Sequence, residues 1–193
     1  MLAMHAIEPE EFKSRWREWY PDAAPRGWAM REAYPHRWVR IHSLPRSKRL
    51  PESEGEYVTV LARHNVVAEA IIGTAECVVI GYDYDGAYHR PANHPLAAWL
   101  PDAPPVMRLA PEDEDNEATS LFAARTAWYD GMLDAALRAV ADDALRLMLL
   151  NWDTGAAYAP YDGGADLFWP SEHERDSARE HFKRWVATGP SGL

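Results

Sequence analysis

The chain has 193 residues, 47% of them hydrophobic, and carries 30 Asp+Glu against 20 Lys+Arg for a net charge of −10. That length and apolar content suit a folded domain with a sizeable core and exclude a disordered chain, while the acidic balance argues against nucleic-acid binding, whose affinity comes largely from neutralising phosphates. A lone cysteine, Cys77, excludes an intrachain disulfide, and no apolar run approaches the ~20 residues of a membrane-spanning helix.

The opening MLAMHAIEPEEF turns acidic early and lacks a basic-then-apolar leader, so the expected location is the cytoplasm. In EPEEFKSRWREWYP, Phe12, Trp16 and Trp19 share one helical face and Pro21 ends the helix. A Pro/Gly/Ala loop is expected to about Pro35. RWVRIHSL reads as a strand with Val39 and Ile41 on one face and Trp38, Arg40 and His42 on the other. After the connection PRSKRLPESEG, a long helix places Tyr57, Val60, Leu61, His64, Ala68 and Ile71 in one stripe and closes at Gly73. On that stripe His64 reads as a packed, hydrogen-bonded residue.

CVVIGYDY is an apolar strand, with Cys77 a buried structural thiol. Residues 84–117 form a proline-rich, acidic excursion, with a short helix expected at PLAAWL. TSLFAARTAW is a strand, and DGMLDAALRAVADD is a helix with Asp130 as its N-cap. LRLMLLNW, AAYAP and ADLFW make a meander whose turns are DTG and YDGG. Ser171 and Glu174 form a capping box before a last helix that turns Ala178, Phe182 and Trp185 inward. The expected architecture is α+β: one domain over residues 1–193, a mostly antiparallel sheet with helices packed chiefly on one face.

In YAPYDGGADLFWPS, Asp162 and Asp166 flank a glycine pair. Glycines supplying positive φ make this a turn. A calcium loop would need middle ligands and a distal glutamate that this stretch lacks, as does DYDG at Asp83–Gly86; no metal and no cofactor are expected. Nucleophile-elbow, P-loop, dinucleotide-binding and zinc motifs are missing. The stretch HRWVRIHSLPRSKR concentrates basic residues in an acidic chain. Its arginines either pair with surplus acids or form an anion site, for which guanidinium forks are suited. The candidate ligand-binding residues are Arg40, His42, Arg49, Arg125, Asp153, Tyr161 and Asp162.

YAPYDGGADLF, the preceding GMLDAALRAVADDALRLMLLNW, the closing RWVATGPSGL, and RWVRIHSLPRSKRLPESEGEY followed by LARHN resemble a bacterial family with a Tyr-Asp-Gly-Gly-x-Asp turn and a terminal helix. The family has no assigned activity, so the resemblance implies a one-domain bacterial cytoplasmic protein and no chemistry. Two functions stay open. The leading expectation is a non-catalytic protein, immunity-like or an adaptor, that binds a basic protein partner through acidic and aromatic surface. The alternative is an enzyme or binder of a small anion at Arg40, His42 and Arg125, marked by a concave pocket where these meet Asp153 or Asp162.

Overall fold

The computed structural model describes residues 4–73, 76–83, 100, 104–111 and 118–187. In chain order these form β1 (His5–Ala6), α1 (Pro9–Trp19), α2 (Gly27–Ala33), β2 (Trp38–His42), α3 (Glu54–Ile72) and β3 (Glu76–Asp83). There follow β4 (Met107–Leu109), β5 (Thr119–Ala127), α4 (Asp134–Ala141), β6 (Leu147–Asn151), β7 (Ala157–Tyr161), β8 (Gly164–Phe168) and α5 (Glu172–His181). The strands make one antiparallel sheet in the order β1-β5-β3-β6-β7-β8-β2, with β4 also beside β5. The α+β class and the mainly antiparallel sheet are those the sequence implies.

Both faces of the sheet are apolar, and side-chain alternation sorts residues between them. Val39 and Ile41 of β2, Leu147 and Leu149 of β6, and Ala165 and Leu167 of β8 join the core under α3, α4 and α5. Met148 and Leu150 of β6, and Phe168 of β8, join the core under α1 and α2 with Phe12, Trp16 and Met30. The longest described helix, α3, lies on the first face, so most helical length is there; the second face nevertheless has its own cover.

Three local expectations change. The stretch read as a loop to Pro35 contains α2, whose Met30 is fully buried; one short helix beside Pro25 gives little periodic signal. Inside the expected excursion, β4 pairs with β5 and Leu109 is buried. Residues 84–99, 101–103 and 112–117 lie outside the described residues, as does the PLAAWL helix except Leu100, which is buried. Asp130 does not cap α4, which starts at Asp134 after Leu133. Gly131, at φ 77°, keeps the chain out of the helix there, and Asn65 of α3 fixes that turn. Its Oδ1 accepts from Gly131 N–H (3.0 Å) and its Nδ2 donates to Asp134 Oδ1 (2.8 Å).

Candidate functional site

Arg40 and Asp166 stand directly opposite one another in the β2–β8 ladder. They share the parity of Trp38 and Phe168 and so point to the face that α2 covers, where Arg40 is 7% and Asp166 5% exposed. Charges so buried must be paired. Arg40 donates from Nε to Asp166 Oδ1 (2.8 Å) and from Nη2 to Oδ2 (3.0 Å), and Trp38 Nε1 donates to the same Oδ1 (2.8 Å). Burial works against the charged guanidinium, but the hydrogen bonds and charge of Asp166 outweigh it and hold the Arg40 pKa above its ordinary value. The Arg40 guanidinium lies 5.4 Å from the Trp38 ring and 5.1 Å from the Tyr161 ring. Burial pushes the Tyr161 hydroxyl up to about 12 against the pull of Arg40, so it stays protonated at neutral pH.

This pair floors a cleft of about 660 Å³. One wall is α2 with Arg26 at its N-cap; the others are β7, the end of β3 and the Asp143–Leu147 segment. A Cβ on Gly27 would meet Ala159 Cβ at 3.3 Å, so this glycine lets the start of α2 close against β7. Arg26 donates to Ala110 O (3.2 Å) and Thr119 Oγ1 (3.3 Å), and Arg146 pairs with Asp143. Arg31 differs. It is half-buried, its guanidinium sits 5.6 Å from the Trp38 ring, and among the described residues it has no carboxylate or hydrogen-bond partner. The Tyr161 hydroxyl, on the same cleft, likewise makes no hydrogen bond to a described residue.

The two aspartates of the glycine turn do not converge. Asp166 is held by Arg40, and Asp162 accepts from Arg49 Nε at 2.6 Å. The basic stretch and the turn are thus ion-paired with each other, one of the two arrangements the sequence leaves open. Among the described residues no group of His, Cys, Asp and Glu has the geometry to hold a metal ion. Positive φ is not why glycine stands here: Gly163 and Gly164 are not left-handed, unlike Gly73, Gly131 and Gly155. The reason is contact. A Cβ on Gly164 would lie 2.0 Å from Ile41 O.

Of the residues singled out from sequence, Arg40 and Tyr161 line the cleft. Arg49 and Asp162 form their own pair, Arg49 at the surface. His42 is half-buried outside the cleft lining, its carbonyl accepting from Arg63 Nη1 (3.0 Å). Burial, then the charges of Arg40 and Arg63, hold its pKa below the usual histidine value. Arg125 is five strands away across the sheet, roughly 24 Å at ~4.8 Å per strand. There it pairs with Glu11 and Glu76 and stacks 4.7 Å from Trp152. Asp153 is exposed in the turn after β6, and neither it nor Arg125 reaches the Arg40 group. Arg26, Arg31, Arg146 and the pairing role of Asp166 escape the sequence reading. Asp166 carries a signal, a charge at a buried position of an apolar strand, whereas the others come together only in space.

A family model described as a domain of unknown function (DUF3885) matches residues 26–189. The chain belongs to this DUF3885 family. The match takes in every cleft residue named above and leaves α1 outside it. No curated protein and no solved structure matches the chain. No described helix of this DUF3885 member is long and apolar enough to cross a membrane.

Proposed function

We propose that this DUF3885 protein is a bacterial cytoplasmic binder of a small anionic ligand, which it takes into the arginine-lined cleft. The observation that carries the reading is Arg31: a half-buried arginine lining a concave site, whose guanidinium makes no ion pair with a described carboxylate. Leaving a cation partly desolvated and unpaired is unfavourable, and an anionic ligand relieves it with charge-assisted hydrogen bonds. Arg40 contributes differently. Being already neutralised by Asp166, it fixes Trp38 and Tyr161, against which Arg31 and the ligand rest. The test is calorimetric titration of wild type and Arg31→Gln with a panel of small carboxylates and phosphates. We expect binding to wild type and a loss of about tenfold or more in the variant. Equal affinities, with circular dichroism unchanged, overturn the reading.

A second reading, recognition of a basic protein partner, is favoured by one surface feature. Val58 (64% exposed) and Val66 (48%) stand with exposed Ala62 along the outer side of α3, on a chain of net charge −10. Val58→Glu combined with Val66→Glu should abolish capture of such a partner and leave the cleft's ligand affinity unchanged.

A further inference from the structure

Away from the cleft, α3 keeps an outward side on which Gly55, Val58, Ala62, Val66 and Glu69 are all exposed. Their spacings of three, four, four and three residues bring all five within about 40° of one line along the helix. That spacing is the same from either end, with Ala62 at its centre and a valine on each side of it. The two outer residues are poorly suited to a lone chain. Glu69 is a carboxylate in the last turn, where the helix dipole favours cations; the turn has no basic residue, and Glu69 makes no ion pair with a described one. Gly55 is a poor helix former, and no contact within the chain calls for it, since a Cβ there would meet nothing within 4 Å. Ser53 caps the N–H of Glu56, so the Gly55 N–H stays among the first-turn donors that no carbonyl of its own helix can reach.

We propose that this face binds a second copy of the chain, α3 against α3, antiparallel about a two-fold axis at Ala62. Such an axis sets Val58 on Val66 of the partner subunit and Glu69 over Gly55 of the partner subunit. The missing side chain there gives the carboxylate a path to the first-turn amides, at the positive end of the partner's helix. The acids beside that turn do not oppose it, because Glu54 is paired with Arg138 and Glu56 with Lys48. Alanine at the crossing allows the close helix approach of about 8 Å.

The test is sedimentation equilibrium of the full chain up to about 0.2 mM, since one helix pair lies at the small end of specific interfaces, which total ~1,200–2,000 Å². Salt of about 0.15 M screens the long-range repulsion between acidic copies. We expect wild type to approach twice its 21.9 kDa mass and Val58→Glu with Val66→Glu to stay monomeric with unchanged circular dichroism. Glu69→Lys should weaken the dimer about fivefold or more while raising the melting temperature of the dilute monomer, where a cation suits the helix C-terminus; a role within the chain alone would leave association unmoved. Under mild oxidation Ala62→Cys should cross-link to itself and Val66→Cys should not; Cys77 is buried. Cross-linking at Val66 but not at Ala62 overturns the antiparallel arrangement, and a dimer that survives the double glutamate variant overturns the face. A monomeric wild type overturns the proposal and leaves this face to the basic partner; none of these outcomes bears on the cleft.

Discussion

Arg40 and Asp166 show how a single residue pair sets local stability in this protein. Each is a charge in a strand of otherwise apolar neighbours, tolerable because the other stands opposite in the ladder. Removing one partner leaves the second buried and uncompensated, so Arg40→Ala should cost about 3–5 kcal/mol in urea unfolding. Arg40→Met with Asp166→Leu should recover most of that loss; an equally unstable double variant would show that the pair is not the cause. Gly164 is a second such residue. Its would-be Cβ lies 2.0 Å from Ile41 O, a backbone atom that cannot swing aside. Gly164→Ala should destabilise by about 3 kcal/mol or more. Gly163→Ala, whose closest contacts are the Arg49 side chain at 3.2 Å and the Tyr161 ring at 3.3 Å, should be milder. Thermal melts of the two variants decide the point. The glycine pair was legible in the sequence as a turn, but its physical reason was not, because the obstructing carbonyl belongs to a strand more than a hundred residues away in the chain.

At the scale of elements, legibility followed the range of the forces involved. The last helix, α5, was readable because its start is local chemistry: Ser171 Oγ accepts from Glu174 N–H (3.2 Å) and donates to Glu174 Oε2 (2.6 Å). Ser171→Ala should lower stability by about 1 kcal/mol, read as a shift in the urea midpoint; no shift would mean α5 is held by Phe182 and Ala178 alone. The long helix α3 was readable through its stripe and ends where Gly73 takes φ 58°. By contrast α4 begins where Asn65 of another helix bonds the turn before it. No local signal shows this, and the local candidate, Asp130, misleads. The helix α2 is the costliest omission, since it supplies Arg31 and Trp28 to the cleft and covers Arg40. It holds too few residues for periodicity to register and is stable through packing of Met30 rather than through propensity.

The whole molecule is a sheet covered on both faces, and its interior holds a titratable group that couples stability to pH. His64, read from sequence as packed and hydrogen-bonded, is 2% exposed. Its ring bridges Ser43 Oγ, at 2.6 Å from Nε2, and the Tyr158 hydroxyl at Nδ1, tying the end of β2, α3 and β7 together. Burial, then the charge of Arg63, lowers its pKa from 6.5 to about 4. The unfolded chain therefore binds this proton first. The stabilisation is fully present above about pH 6.5 and is lost as pH falls toward 4, by up to about 3 kcal/mol at ~1.4 kcal/mol per pKa unit. We expect the urea midpoint of wild type to fall across this window more steeply than that of His64→Gln; parallel slopes would assign the acid sensitivity to other groups.

By itself the sequence determined the class of the fold, the alternation that sends Val39 and Ile41 into one core, and the hydrogen-bonded burial of His64. All of these rest on short-range periodicity and on the transfer of apolar surface from water, which each segment carries within itself. Only the tertiary structure decided which charges meet. It set Arg40 on Asp166 and Arg49 on Asp162, carried Arg125 to the far side of the sheet, and left Arg31 over the Trp38 ring in the cleft, with no carboxylate partner among the described residues. Strand order and the packing of α2 fix those encounters, because an ion pair needs two groups within a few ångströms and separation along the chain says nothing about that distance.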